Sequence, residues 1–253
     1  MKSILPRNVL WLRDKVDDFD PCNNAVYTSC GHKLRYDYMV VAVGLKNDYD
    51  QKHGISLNLD SRFERLSKKP HRSSVHSVFA GVLPEVLVLC AELQRWTGDI
   101  HVPKKAAKCS GAAQKIMYLA HDYWKKKNLH DSTNITYNTA GDMLFGVPKY
   151  ATPLTKVAWD KNIALNYKLE LIEITPKRAN SWITVTLPYN FLHVTPPMSP
   201  PVCLTKCEEL TNEEGFLDVD RHTLQHRRYC NIYGVGDCTS SPNSKTAAAV
   251  GEI

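Results

Sequence analysis

The chain has 253 residues, of which 43% are hydrophobic and 23% are charged, and its formal net charge is +6. This length and composition predict a globular protein with one large domain or two ordinary domains. The net charge is far below that of a nucleic-acid-binding protein, so no nucleic-acid partner is expected. A mild positive excess suits a nucleotide cofactor or an anionic membrane surface.

The sequence predicts neither a targeting signal nor a membrane-spanning segment. The first twenty residues contain four aspartates and no apolar core, unlike a secretory signal or a mitochondrial presequence. The longest apolar stretch, residues 78–93, is interrupted by Pro84 and Glu85 and is shorter than the roughly 20 residues that cross a bilayer. Any membrane contact is therefore expected to be peripheral.

The N-terminal part of the chain is predicted to consist of strands. Residues 8–12 (NVLWL) form a candidate strand, and residues 25–28 and 33–36 form a candidate hairpin. The apolar run at residues 38–43 is typical of a strand buried on both faces. Gly44 follows it and permits the close approach of a backbone or a ligand. Residues 55–92 show neither a helical nor a strand period, and we predict an irregular segment there.

Strands alternate with helices after residue 93. Strand 99–102, helix 112–127 and strand 134–137 form a predicted β-α-β unit. The apolar face of this helix is predicted to hold Ala112, Ile116, Leu119, Ala120, Tyr123 and Trp124. Pro148 suits the first turn of a second helix that ends near residue 161. Further strands are predicted at residues 164–168, 169–174, 182–187 and 191–194, before a proline-rich loop.

The last stretch, residues 229–250, is predicted to form a strand at 231–235, a turn at Gly236-Asp237-Cys238 and a helix within 241–250. A glycine-flanked turn with an acid, placed before a helix N-terminus, suits a phosphate or a sugar. The alternation of elements predicts an α/β fold with parallel strands, whose ligands bind at the carboxyl ends of the strands.

Two of the eight cysteines, Cys109 and Cys238, are predicted to lie in matching places, each after a strand and before a helix. The helix dipole would lower the pKa of such a thiol, and Lys108 would add to the effect at Cys109. If both strand ends open into one crevice, the two thiols can form a redox disulfide. The alternative is two unrelated buried thiols. Cys203 and Cys207 lack a second pair of ligands at similar spacing, so no metal site is expected.

Several motifs resemble the animal mitochondrial sulfide:quinone oxidoreductases. They are YDYMVVAVG (36–44), KCSGAAQKIMYL (108–119), FGVPKYA (145–151), HVTPPMSPP (193–201), LQHRRY (224–229) and GVGDCTSSPNSKTAAAV (234–250). The resemblance implies a flavoprotein of the disulfide-reductase superfamily with two Rossmann-like dinucleotide-binding domains and non-covalently bound FAD. It also implies oxidation of hydrogen sulfide, transfer of electrons to ubiquinone, and transfer of the sulfane sulfur to glutathione or sulfite at the mitochondrial inner membrane.

The resemblance assigns roles to particular residues. It implies that Cys109 and Cys238 are the redox pair, with the persulfide on Cys109 and Cys238 facing the flavin. It implies FAD contacts from Val16 through its backbone, from Ala42 and Gly44 along the phosphates, and from the Gly236-Asp237 turn. Asp237 would bind the ribityl and pyrophosphate region of FAD. Lys245 would lie near the flavin or the quinone, where a cation stabilises a reduced, anionic ring.

The chain departs from the family in three ways. The N-terminal GxGxxG unit that binds the FAD pyrophosphate is absent from these residues, the chain stops before the family's C-terminal membrane-docking region, and residues 55–92 match no family pattern. We therefore expect an incomplete chain, whose segment 55–92 is translated partly in the wrong frame.

The expected domains are a remnant of the FAD-binding domain (1–54), the irregular segment (55–92), a second Rossmann-like domain (93–192) and a return to the FAD-binding domain (193–253). The alternatives are a truncated, catalytically silent paralogue and a type II NADH:quinone dehydrogenase-like flavoprotein.

Overall fold

The computed structural model describes residues 6–48, 56–57, 96–102, 108–109, 111–129, 131, 133–175, 178–181, 185–188 and 191–251. Nearly all of the predicted irregular segment, residues 55–92, therefore lies outside the described residues. The chain divides into two compact units. Unit 1 comprises Met1–Leu45, Pro200–Asn243 and Ala248–Ile253, and unit 2 comprises Lys46–Ser199 and Ser244–Ala247.

The described residues form short strands and helices that are numbered in chain order. The strands are β1 (Val16–Asp20), β2 (Ala25–Thr28), β3 (Lys33–Arg35), β4 (Met39–Val41), β5 (Lys46–Asn47), β6 (Ser56–Leu57), β7 (Trp96–Val102), β8 (Thr133–Thr139), β9 (Ala164–Asn166), β10 (Leu171–Thr175), β11 (Arg178–Ser181), β12 (Thr186–Pro188), β13 (Phe191–Val194), β14 (Met198–Ser199) and β15 (Ile232–Gly234). The α-helices are α1 (Ala112–Lys126), α2 (Pro148–Asp160), α3 (Val202–Thr205) and α4 (Ala247–Gly251).

Unit 1 begins with an antiparallel sheet of β1, β2 and β3. The β2–β3 hairpin confirms the sequence prediction, with Val26 opposite Leu34. The strand predicted at residues 8–12 is wrong, because these residues have no regular structure and Leu10 is 83% exposed. The sequence missed β1, whose three aspartates have low β-propensity and whose Phe19 is buried.

The second sheet of unit 1 pairs β4 with β15 in parallel, with Val40 opposite Tyr233. Strand β4 was predicted to be buried on both faces, and this is wrong for the described residues. Met39 and Val41 are buried, whereas Val40 between them is 62% exposed. A single buried face therefore packs onto the core of unit 1.

The core of unit 1 brings residues from both ends of the chain together. It contains Phe19 and Val26 from the first sheet, Met39, Val41 and Ile232 from the second, and Cys203, Leu204, Cys207, Leu210, Leu217, Val219 and Cys238 from the segments around β15. Burial of this much aliphatic surface is the main force that holds the two distant stretches together.

Unit 2 contains the parallel sheet that the alternation of elements predicts. Its strand order is β13-β7-β8-β9, and all three pairings are parallel. Helix α1 connects β7 to β8 and helix α2 connects β8 to β9, which is the arrangement of a Rossmann-like fold. Helix α2 starts at Pro148, as predicted.

The core of unit 2 lies between α1 and the sheet. Ile116, Ala120 and Trp124 are buried, as their spacing predicts. Leu119 was placed on the same face and is 43% exposed, whereas Met117, which the prediction omitted, is fully buried. The buried stripe is therefore rotated toward Ala113 and Met117, whose side chains meet Ile135 and Tyr137 of β8 in one cluster.

Two small sheets complete unit 2. Strands β12, β11 and β10 form an antiparallel meander that β6 extends in parallel. Strand β14 pairs antiparallel with β5, so that Ser199 lies opposite Lys46. Within the described part of the chain, no helix has the length and apolar character needed to cross a membrane.

Candidate redox and cofactor site

The turn after β15 lies at the carboxyl end of the β4–β15 sheet. The amide of Val235 donates to the carbonyl of Val41 at 3.0 Å and carries the pairing one residue beyond the strand. Gly236 then adopts φ +82, a left-handed conformation that favours glycine. Its carbonyl accepts hydrogen bonds from the amide (3.2 Å) and the hydroxyl (2.9 Å) of Thr239, which close the turn around Asp237 and Cys238.

Cys238 is fully buried beneath this turn. Its Sγ donates to the carbonyl oxygens of Val41 and Val235, each at 3.6 Å. The sulfur therefore lies at the carboxyl ends of both parallel strands, where an α/β sheet presents its ligand site.

Cys238 was predicted to lie at the N-terminus of a helix, and this is wrong, because the helix that follows it begins nine residues later, at Ala247. The carbonyl of Cys238 accepts the amide of Leu217 at 2.9 Å, and the amide of Ser240 donates to the carbonyl of Leu217 at 2.9 Å. The chain therefore continues as an extended segment beside Leu217. Helix α4 begins at Ala247, six residues after the first residue of the range predicted for it, 241–250.

Gly234 allows this close packing, whereas the sequence had marked it only as one of the two glycines that flank the turn. A Cβ at this position would overlap Leu217 Cδ2, and would lie 2.9 Å from Thr239 Cγ2 and 3.0 Å from Val219 Cγ1. Gly234 is therefore the residue that lets β15 pack against the segment at 217–219.

The other predicted cofactor residues of unit 1 lie on the exposed side of the same sheet end and on β1. Asp237 is half-buried, and its carboxylate has no hydrogen-bond partner among the residues that the structure describes. Ala42 is exposed, and Gly44 has φ +64 with open space where a Cβ would project. Val16 starts β1 and packs partly buried against the core of unit 1.

Cys109 belongs to unit 2 and is half-buried two residues before Gly111, the N-cap of α1. Its φ is +50, which is unfavourable for a residue with a Cβ. Its amide donates to the carbonyl of Lys245 at 2.9 Å, and its own carbonyl accepts the amide of Ala112 at 2.7 Å. The structure therefore brings together two residues that the sequence assigned to the site separately, Cys109 and Lys245.

A further contact to this turn has no counterpart in the sequence predictions. The amide of Lys108 donates to the thioether Sδ of Met198 at 3.1 Å. Met198 lies in the motif HVTPPMSPP, which carried the resemblance without any role for this residue. The only signal in the sequence was therefore its place in that motif.

The remaining described cysteines have structural surroundings. Cys203 and Cys207 are buried in the core of unit 1, where burial raises the pKa of both thiols. Cys22, Cys30 and Cys230 are exposed. Among the described residues, no three His, Cys, Asp or Glu side chains form a group suited to a metal ion.

Comparison with known proteins gives relatives that cover almost the whole chain. It is 34% identical over 256 residues to the mitochondrial sulfide:quinone oxidoreductase of Mus musculus, covering 98% of this chain and 54% of that protein. The mitochondrial sulfide:quinone oxidoreductase of Dictyostelium discoideum is 32% identical with the same coverage. The chain thus spans about half the length of the curated relatives it matches. No family model matches the chain.

Solved structures support the fold. The sulfide:quinone oxidoreductase of Aquifex aeolicus has a TM-score of 0.66 at 20% identity, covering 90% of this chain and 52% of that chain. A chain in the mitochondrial ATP synthase structure of Tetrahymena thermophila has a TM-score of 0.71 at 23% identity, with coverage of 92% and 57%. NDH2 of Plasmodium falciparum, solved with NADH, has a TM-score of 0.57 at 16% identity, with coverage of 90% and 50%. At these identities the likeness concerns the α/β, Rossmann-like fold. Over 98% of its length the chain is similar in sequence to mitochondrial sulfide:quinone oxidoreductases, at 34% and 32% identity.

Proposed function

We propose that the chain carries the redox cysteines of an FAD-dependent sulfide:quinone oxidoreductase. The observation that supports this most strongly is the 34% identity to a mitochondrial sulfide:quinone oxidoreductase over 98% of the chain. In the structure, Cys109 and Cys238 each follow a parallel strand. Hydrogen sulfide is the proposed reductant, ubiquinone the proposed electron acceptor, and glutathione or sulfite the proposed sulfur acceptor.

The proposed reaction starts from a disulfide between Cys109 and Cys238. Hydrosulfide attacks Sγ of Cys109, the bond between the two cysteines breaks, and a new S–S bond leaves a persulfide on Cys109 and a thiolate on Cys238. The sulfur acceptor, either the glutathione thiolate or sulfite, then attacks the outer sulfur and releases Cys109 as a thiolate. Re-forming the disulfide from the two thiolates gives up two electrons, which pass to ubiquinone and complete the cycle.

The difference in exposure of the two thiols supports this division of roles. Cys109 is half-buried, whereas Cys238 is fully buried. A small anionic nucleophile therefore reaches Cys109 more readily. Cys238, at the carboxyl ends of β4 and β15, suits the position next to a cofactor that binds at this sheet end.

The residues at the sheet end fit the FAD that the family implies. The carboxylate of Asp237 is available to accept hydrogen bonds from ribityl hydroxyls, and the backbone at Ala42 and Gly44 is open to phosphate oxygens. Residues 1–54 and 193–253 would hold FAD, with Val16 toward its adenine end, and residues 93–192 would form the second dinucleotide-binding domain. When bound, FAD would supply a two-electron acceptor between the thiolates and ubiquinone. The Lys245 ammonium would stabilise negative charge on the reduced ring.

The proposed location is the mitochondrion, at the surface of the inner membrane. The names of the homologous proteins support the mitochondrial part of this proposal. A peripheral contact would give access to ubiquinone, and the positive net charge of +6 favours an anionic membrane surface.

The test is sulfide-dependent reduction of a soluble ubiquinone analogue by the purified protein reconstituted with FAD. Cys109→Ser and Cys238→Ser should each abolish the activity. Cys30→Ser, which changes an exposed cysteine in the β2–β3 turn, is the matched control and should retain it.

Each result has a distinct meaning. Activity that survives Cys109→Ser would refute the proposed role of this residue. Flavin absorbance without sulfide oxidation, but with NADH oxidation, would favour the NADH:quinone dehydrogenase reading. A protein that holds no flavin and shows no sulfide oxidation would be the silent paralogue.

A further inference from the structure

The backbone around Cys109 is fixed by two neighbouring amides with different acceptors. The amide of Lys108 donates to Met198 Sδ at 3.1 Å, and the amide of Cys109 donates to the carbonyl of Lys245 at 2.9 Å. Between these two bonds the chain takes the left-handed conformation, with φ +50 at Cys109. Such a conformation in a residue with a Cβ persists only where the surroundings hold it.

Met198 is itself held firmly. It is 8% exposed, and its strand β14 pairs with β5. The buried Asp48 joins the two strands, because its amide donates to the carbonyl of Pro197 at 2.8 Å and its Oδ1 accepts the hydroxyl of Ser199 at 3.0 Å. Lys46 Nζ lies 2.9 Å from the same oxygen. The thioether therefore presents a fixed acceptor to the turn.

We propose that Met198 is a positioning residue for Cys109: its thioether accepts the Lys108 amide and, together with the Lys245 carbonyl, holds Cys109 in the left-handed conformation that sets the direction of its thiol. The role in catalysis rests on the proposed function of Cys109, whereas the contact itself does not. A methionine selected only for packing would be replaceable by leucine, because the two side chains are similar in volume. A methionine that serves as a hydrogen-bond acceptor would not be replaceable by leucine, because leucine has no acceptor atom in its side chain.

The experiment measures hydrogen exchange of the Lys108 and Cys109 amides in the full chain by NMR. In Met198→Leu the Lys108 amide should exchange about fivefold faster than in the wild type, since one hydrogen bond to a neutral acceptor is lost. Met198→Gln keeps an acceptor oxygen on an unbranched side chain and should restore slow exchange. Met117→Leu is the matched control, because Met117 is fully buried in α1 of the same unit, and exchange of both amides should stay at the wild-type rate.

Alkylation of Cys109 by iodoacetamide, followed by mass spectrometry, gives a second readout. A thiol released from a fixed, half-buried turn should react about fivefold faster in Met198→Leu, and at the wild-type rate in Met198→Gln. Unchanged exchange in Met198→Leu would overturn the proposal, as would equal acceleration in Met198→Gln or Met117→Leu. These measurements need neither FAD nor sulfide. Fast exchange in Met198→Leu, together with sulfide oxidation that survives Cys109→Ser, would therefore refute the proposed function and leave the positioning contact intact.

Discussion

The stability of unit 2 should depend on pH through His193. This residue lies on β13, opposite Ile100 of β7, and burial lowers the pKa of His193 to about 4. In the unfolded chain its pKa is about 6.5. Between these values the unfolded state binds more protons than the folded state, so the free energy of unfolding falls as the pH falls.

The magnitude follows from the two pKa values. Between pH 7 and pH 5, protonation of His193 in the unfolded chain should lower the free energy of unfolding by about 2 kcal/mol. The side chain retains some exposure, so this figure is a ceiling. Above pH 7 the imidazole is mostly neutral in both states, and the residue should contribute little pH dependence.

The assay is urea unfolding followed by tryptophan fluorescence at pH 8, 7 and 5. Four of the five tryptophans, at positions 96, 124, 159 and 182, belong to unit 2. Fluorescence therefore reports mainly on the unit that contains His193.

His193→Gln and His193→Asn remove the titration, and their loss of stability from pH 7 to pH 5 should be smaller than that of the wild type by up to about 2 kcal/mol. Between pH 8 and pH 7 the variants and the wild type should run parallel. The reasoning is refuted if the variants lose as much stability as the wild type between pH 7 and pH 5.

Three further predictions concern the site. Gly234→Ala should lower the free energy of unfolding by about 1–3 kcal/mol, because its methyl group would overlap Leu217. Urea denaturation measures this loss. Gly146 has open space where a Cβ would project, so the stability of the control variant Gly146→Ala should stay near that of the wild type. Cys109→Gly should be more stable than Cys109→Ala by about 1 kcal/mol, because glycine adopts φ +50 without strain; equal denaturation midpoints would argue against a left-handed turn. Iodoacetamide should alkylate Cys109 faster than the fully buried Cys238 in the reduced, native protein, and the reverse order in peptide mapping would contradict the assigned order of attack.

The sequence predicted the parallel sheet of unit 2 because its signals were local and mutually consistent. The apolar spacing of residues 112–127 and the proline at 148 marked both helices. The run between the helices marked β8, and the run after the second helix marked β9. The sequence did not predict that the buried face of α1 contains Met117 instead of Leu119. The position of the buried face depends on where the sheet lies relative to the helix, which is a tertiary contact.

The errors in unit 1 share a different cause. Residues 8–12 are apolar enough for a strand, yet the described chain gives them no strand to pair with, and they remain irregular. Strand β1 is rich in aspartate, yet it forms because it pairs with β2 and buries Phe19. A strand forms only where it finds a partner strand and a buried face, and β-propensity along the segment does not report either, so it favoured the wrong segment in both cases.

The two thiols show how far a motif can predict a site. The sequence treated Cys109 and Cys238 as equivalent, each between a strand and a helix. The structure places Cys109 in a strained turn two residues before the N-cap of α1, whereas the chain after Cys238 runs extended beside Leu217 and enters no helix for eight residues. Sγ of Cys238 donates to two carbonyl oxygens, an arrangement that only the protonated thiol can make. The hydrogen bonds of the Cys109 turn are instead made by backbone amides and leave its sulfur uninvolved. Cys109 is half-buried and Cys238 is fully buried, and this difference in access, rather than any difference in the flanking motifs, is the physical reason to assign the first attack to Cys109.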